Sequence, residues 1–199
     1  MATKVLLTGF EPFGKASLNP SGEIVKVLSR ESVPGVEITT LILPVEYSRA
    51  SSILLAKIKE LAPEVVISLG QAEGRKKISF ERVAVNIAGA RIPDNAGITK
   101  TDEAIVVDGR DAYFSTLPYT KMISAIQEMG IPVGQSLSAG TFICNEIFYE
   151  TQRTLISSKT RSGFIHVPLQ DEQTSEFPGQ PTMPLIEMVK AIRAALTAL

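Results

Sequence analysis

A chain of 199 residues, 44% hydrophobic and 21% charged, has the composition of an ordinary globular protein and is long enough for one substantial core. Its 20 Lys and Arg against 21 Asp and Glu give a formal net charge of -1, which offers no broad attraction for nucleic acid, and no apolar run approaches the roughly 20 residues that cross a bilayer. The opening MATKVLLTGFEPFG reaches glycine and a charge too early for a secretory signal, and a single cysteine forms no internal disulfide, so a cytoplasmic protein is expected.

In chain order, KVLLTGF at 4–10 reads as a short buried strand, and NPSGEIVKVLSRE opens on the cap-like Asn19 before a stripe of Ile24, Val27 and Leu28. VEITTLILPV at 36–45 is a second strand. The segment after it places Leu54, Ile58 and Leu61 on one helical face and stops before Pro63. EVVISLG at 64–70 is continuously apolar, as suits a strand buried on both faces. KISFERVAVNIAG alternates well enough for one or two strands, and RIPDNAGITKTDEA is dense in turn residues and reads as a long surface loop.

YTKMISAIQEMG aligns Met122, Ile123, Ile126 and Met129 before Gly130, after which IPVGQSLSAGTFI resumes extended structure. CNEIFYETQRTLISSK then carries Ile147, Phe148, Thr151 and Leu155 at helical spacing. SGFIHVPL follows as a strand, and Leu185, Val189, Ile192, Leu196 and Leu199 mark a final helix. Alternating strands and helices with no repeat or linker predict one domain over 1–199, an α/β protein folded as a three-layer α/β/α sandwich around a largely parallel or mixed sheet.

Cys144 falls where strand gives way to helix. A free cysteine commonly packs as a small apolar residue. The alternative is a nucleophile, because helix-start N–H groups and a nearby imidazolium lower a thiol pKa. Such a nucleophile needs a base, and His166 is the only histidine. Both residues are placed near strand carboxyl ends, where α/β sheets gather their sites. A third group would hold the imidazole tautomer, and Glu81 is plausible because an acid in an apolar strand demands a partner.

Other motifs carry less. The loop TGFEPFG precedes a helix and would allow phosphate binding, but neither glycine-rich phosphate signature is present. Phe10 and Phe13 on that loop suit a small planar group, against the simpler reading of core packing. The cluster EGRKK at 73–77 reads as a solvated turn, and the acidic residues of TDEAIVVDGRDA as solvated surface with no compact metal motif.

Taken together, TGFEPFG with NPS, SLGQAEGR, FERVAVN, RIPDN, AGTFICN and GFIHVP resemble the pyroglutamyl peptidase I family of cytosolic cysteine peptidases, over nearly the whole chain. The resemblance implies an α/β/α fold, removal of an N-terminal pyroglutamyl residue from peptides, no metal or organic cofactor, and a homotetramer or another homo-oligomer. It places the family's catalytic Glu, Cys and His on Glu81, Cys144 and His166. It also points to Phe10, Phe13, Gln71 and Phe142 as pocket residues, with Ile92 and Arg91 from RIPDN.

On this expectation a Cys144 thiolate attacks the carbonyl, the His166 imidazolium protonates the leaving amine, and a thioester forms and is hydrolysed. Glu81 orients the imidazole; N–H groups around Cys144, and secondarily Arg91, receive the oxyanion. Glu146, two residues beyond Cys144, would oppose thiolate formation if it faced inward; the preferred reading has it facing away or serving the first-turn electrostatics of its own helix. Residues 91–103 are a candidate mobile cover. The rival readings are a binding protein that keeps the pocket without turnover, and a nucleoside or sugar-phosphate enzyme using the first glycine loop.

Overall fold

A computed structural model describes residues 2–199. In chain order its elements are β1 (Thr3–Phe10), α1 (Pro20–Leu28), β2 (Val36–Leu43), α2 (Arg49–Leu61), β3 (Val65–Gln71), β4 (Ile78–Glu81), β5 (Val83–Val85), β6 (Ala112–Phe114), α3 (Tyr119–Gln127), β7 (Val133–Ser136), α4 (Ile143–Thr154), β8 (Arg161–Val167), β9 (Leu169–Gln170), β10 (Thr182–Met183) and α5 (Leu185–Thr197). Six strands form the central sheet in the order β2-β1-β3-β8-β4-β7. Neighbours run parallel except where β4 meets β8, so the sheet is mixed.

Alternation along the strands divides the core in two. Val5 and Leu7 of β1, Ile67 and Leu69 of β3, and Ile165 and Val167 of β8 pack with α1, α3 and α5. Leu6, Val66 and Phe164 face the other way and pack with α2 and α4. Every residue of β3 is buried, as its continuous apolar sequence requires for a strand covered on both faces. Each fully buried Leu or Ile of these layers contributes about 1.5 to 3 kcal/mol relative to exposure.

The turn from β1 into α1 is closed by the protein's own groups. Asn19 caps the helix, its side-chain oxygen accepting from the Ser21 N–H at 3.1 Å and the Ser21 hydroxyl at 2.8 Å. Ser21 Oγ in turn accepts from the Phe10 N–H at 3.1 Å. This internal cap occupies the helix start that a phosphate would need, and it removes the structural basis of the phosphate reading.

Three features depart from expectation. Met129 is 48% exposed because α3 ends at Gln127 and the chain turns away through Gly130 at φ 73°. Residues 112–114, within a stretch of acidic and turn residues, form β6, which pairs antiparallel with β5 and buries Tyr113 against Tyr149 at a ring-centroid distance of 5.0 Å. Short β9 and β10 pair parallel beside a 3₁₀ turn at Asp171–Gln173.

The β5 segment is stitched to the start of α4 by Asn145, which is fully buried. Its oxygen accepts from the Val85 N–H at 3.0 Å, and its amide donates to Val85 O at 2.8 Å and Ile87 O at 2.9 Å. Asn145→Ala leaves three backbone groups of the β5 segment without these partners and is expected to lower unfolding free energy by about 3 kcal/mol. Urea unfolding checks this, and a loss below about 1 kcal/mol would mean the backbone re-pairs on its own.

Candidate active site

The site is assembled on the α2/α4 face of the sheet around a glycine. Gly70 of β3 lies in register with His166 of β8. A β-carbon at Gly70 would stand 2.9 Å from Cys144 Sγ and 2.7 Å from Phe164 Cζ, so no larger residue fits beneath the thiol. Phe164 and His166, two residues apart on β8, share this face, with their rings 4.8 Å apart between centroids. Cys144 is thus delivered from α4 and His166 from β8 onto one small patch.

Glu81 completes the patch from β4. Antiparallel pairing sets Ser79 opposite His166 and Glu81 opposite Phe164, which puts the carboxylate diagonal to the imidazole. Its Oε1 stands 2.8 Å from His166 Nδ1. The Glu81 side chain is wholly buried, so this acid faces the interior.

The same Oε1 receives Arg75 Nη1 at 2.9 Å, and Arg75 Nη2 donates to Ser138 O at 3.0 Å. Arg75 belongs to the EGRKK cluster expected to be solvated throughout. Lys76 and Lys77 are exposed as expected, but Arg75 turns inward.

Cys144 is the second residue of α4, whose cap position, Phe142, offers no side-chain acceptor. Asn145 and Glu146 N–H both turn back to Phe142 O, while the Ile143 and Cys144 N–H groups have no backbone acceptor among the described residues. These two donors belong to the same helix start that carries the thiol, the kind of group that receives an oxyanion.

Burial nevertheless dominates the thiol. Desolvation, reinforced by the Glu81 charge, pushes its pKa up to about 12, against the opposing pull of its own backbone N–H and of Arg75. Desolvation also lowers the His166 pKa, and Arg75 adds to that, while the hydrogen bond and charge of Glu81 act the other way. Both shifts favour the neutral thiol and the neutral imidazole, with Cys144 itself half-buried. With Nδ1–H donated to Glu81, the tautomer leaves Nε2 bare as a proton acceptor.

A small cavity of ≈ 20 Å³ adjoins the thiol, lined among others by Phe10, Phe13, Gln71, Phe142 and Cys144. Phe13 and Gln71 also border an outer cleft of ≈ 610 Å³, where Ile92 lies. Gln71 Oε1 accepts from Gln173 Nε2 at 3.0 Å, which leaves the Gln71 amide hydrogens to donate elsewhere. Arg91 is exposed and lines neither space, so the structure does not bring it to the thiol.

From RIPDN the structuring residue is Asp94, whose carboxylate accepts from the N–H groups of Tyr47, Ala96 and Ile98. That anchoring opposes a free cover at 94–98. Glu146 is buried and its carboxylate takes the Ser48 N–H at 3.1 and 3.0 Å, so it is held at the start of α2. Glu146 thus faces inward rather than away, but its carboxylate is engaged by Ser48.

Two outcomes follow from this packing. Gly70→Ala should lower unfolding free energy by about 1 to 3 kcal/mol, seen by urea unfolding, because neither the thiol nor the Phe164 ring can yield cheaply. Iodoacetamide should alkylate the unliganded protein more slowly at about pH 8 than it does an ordinary exposed thiol, with the rate rising roughly tenfold per pH unit above that. A rate already flat near pH 7 would instead reveal a preformed thiolate.

A sequence profile of the pyroglutamyl peptidase family matches residues 3–199. Pyrrolidone-carboxylate peptidases of Bacillus cereus (strain 03BB102) and Bacillus anthracis are each 44% identical to this chain over 194 residues, spanning 96% of it and 90% of their own length. The crystal structure of pyroglutamyl peptidase I from Bacillus amyloliquefaciens superposes with a TM-score of 0.95 at 38% identity, covering 100% of this chain and 95% of that one. A pyrrolidone carboxyl peptidase structure from Pyrococcus furiosus gives 0.93 at 38% identity, over 98% and 96%. With a matching profile over nearly its full length and this fold beneath its thiol, the chain belongs to the pyroglutamyl peptidase family.

Proposed function

We propose that Cys144, His166 and Glu81 are the catalytic residues of a cysteine exopeptidase that hydrolyses the bond after an N-terminal pyroglutamyl residue. The observation that carries the assignment is the convergence at Gly70. The only thiol and the only imidazole of the chain meet there on one face of the sheet, and the imidazole is fixed by a buried carboxylate.

The resting state is neutral, so His166 acts first as a base. Its Nε2 takes the thiol proton as Sγ attacks the carbonyl carbon, and the resulting oxyanion is received by the Ile143 and Cys144 N–H groups. The imidazolium, held by Glu81, gives that proton to the departing amine nitrogen as the C–N bond breaks. A thioester to pyroglutamate remains. Water then attacks it, losing a proton to His166, and the C–S bond breaks to release pyroglutamate and restore the thiol.

Pyroglutamate has no free α-amine, so its pocket needs an apolar slot and a few lactam hydrogen bonds in place of an amine-binding carboxylate. Phe10, Phe13 and Phe142 supply the slot, with Gln71 donating to the lactam carbonyl and Ile92 bordering the exit. Phe13 and Phe142 stand 6.1 Å apart between centroids. Aromatic contact on both faces of a flat ring needs about 7 Å, twice a van der Waals spacing. Phe13 therefore shifts outward on binding, toward the cleft, where the remainder of the peptide lies.

The whole of 1–199 acts as one peptidase domain in this proposal. A cytoplasmic location is supported by the single cysteine, and no helix among the described residues is long and apolar enough to cross a membrane. Val107, Phe114 and Leu137, all well exposed, supply apolar surface for a homo-oligomer, a tetramer by family resemblance.

Reduced protein should release a chromogenic amine from a pyroglutamyl amide but not from a prolyl amide, which lacks the lactam carbonyl. Cys144→Ser and His166→Ala should each lose about 10⁴-fold or more in turnover. Full activity in folded Cys144→Ser would reject the assignment, and binding without cleavage by the unaltered protein would favour a binding module.

A further inference from the structure

Arg75 stands in none of the roles assigned above, yet it touches two parts of the site at once. One guanidinium nitrogen meets the buried Glu81 oxygen that also meets His166, and the other bonds Ser138 O in the segment leading to Cys144. That segment is otherwise tied to residue 89, through Thr141 Oγ1 to Gly89 O and Gly89 N–H to Thr141 O, and locally through Ser136, whose hydroxyl also donates to Ser138 O at 3.2 Å. Arg75 is thus the side chain that links the acid of β4 to the approach of α4.

Charge gives the link its consequence. A wholly buried carboxylate requires a cation, and the two groups facing it are Arg75 and His166. The other charged side chains nearby lie elsewhere: Lys76 and Lys77 are exposed, and Arg82, next to Glu81, sits over the Tyr119 ring at 3.6 Å and bonds Gln135. From α4, Cys144 is the titratable group facing the pair, and Glu146 is held at Ser48. From β3, Gln71 is uncharged. With Arg75 in place the Glu81 charge is matched by a permanent cation, and the imidazole is free to stay neutral with Nε2 bare. Without it, His166 would be the one cation available, and its balance would move toward the protonated form, against the desolvation that opposes it.

We propose that Arg75 is a positioning residue for the reaction: by neutralising Glu81 and holding Ser138 it keeps His166 in its basic form and Cys144 in line with it. The proposal rests on the catalytic reading of Glu81, Cys144 and His166. Arg75 also lines an open surface depression with Lys76, Lys77, Ser79, Gln135 and Ser136, so the space vacated by a truncated side chain would be reachable from solvent.

The test uses full-length Arg75→Ala and Arg75→Lys, with Glu81→Gln and Cys144→Ser alongside. For each, kcat and KM on a pyroglutamyl amide are measured across about pH 5 to 10, with thermal midpoints taken to confirm folding. Arg75→Ala should lose roughly 10²-fold in kcat at neutral pH with KM little changed, as expected for a misplaced catalytic group.

The sign of the pH effect is fixed by the charges. Removing a cation raises the pKa of the imidazole and of the thiol, so both limbs of the profile move to higher pH. Arg75→Lys should retain the limb positions and part of the rate, and added guanidinium should restore part of the rate of Arg75→Ala. Folded Arg75→Ala with limbs that coincide with those of the unaltered protein overturns the proposal, whether its rate is normal or reduced. In that case inactive Glu81→Gln and Cys144→Ser leave the catalytic reading standing, whereas wild-type turnover in both removes that reading and this one together.

Discussion

The burial of the Glu81 carboxylate constrains everything around it. An acid with no solvent access is tolerable only with its charge matched, here through Oε1 while Oε2 stays buried without a partner, and breaking such a pair from one side costs about 3 to 5 kcal/mol. The antiparallel entry of β4 beside β8 meets that requirement. It sets Glu81 diagonal to His166, and it brings the preceding turn, with Arg75, over the same edge. In an all-parallel sheet the residues preceding β4 would lie at the opposite end of β8. The one reversed strand pairing is therefore the topological condition for a charged partner at this depth.

The thiol obeys the opposite preference. Cys144 sits at a helix start, where two N–H groups favour a negative charge, yet desolvation over Gly70 and beside Phe164 pushes its pKa the other way, toward the neutral thiol. The two effects act at different moments. In the resting protein desolvation holds the nucleophile neutral. In the proposed mechanism negative charge moves from sulfur to the carbonyl oxygen and the same N–H groups meet it without reorganising, which is where preorganised donors are most effective. Neutrality of His166 is the matching condition, because a base already protonated could not accept the thiol proton.

The order of strands and helices was legible because each element carries its own periodicity, and Cys144 and His166 were conspicuous as the only residues of their kind. Glu81 stood out for the same physical reason that it is buried with a partner: an acid in an apolar strand is costly alone. Arg75 was not legible. A run of three cations reads as solvated, and only the turn between β3 and β4 decides which of the three faces inward. Asp94, Asn145 and Gln173 escaped for a related reason. Their side chains serve backbone groups or a carboxamide distant in sequence, and no local pattern announces such bonds. Neither was the protonation state readable, since helix position is visible in sequence whereas depth is not.

The same long-range ties decide how the pocket opens. Glu11 Oε1 accepts from Asn95 Nδ2 at 2.9 Å, Asn95 N–H bonds Val45 O, and Asp94 holds the Tyr47 N–H. The loops after β1, after β2 and around residue 94 are thereby joined to one another, and Glu146 joins the second of them to α4. Moving any one backbone would break charge-assisted bonds in its neighbours, each stronger than an ordinary hydrogen bond. Phe13 is different: it is half-buried and borders both the closed cavity and the outer cleft. A rotamer change there occurs on a faster scale than loop rearrangement and disturbs none of these bonds. In the proposed pocket the stiffness of the surrounding loops thus concentrates adaptation in one aromatic side chain, and a lactam would enter by parting two rings while Cys144, His166 and Glu81 keep their places.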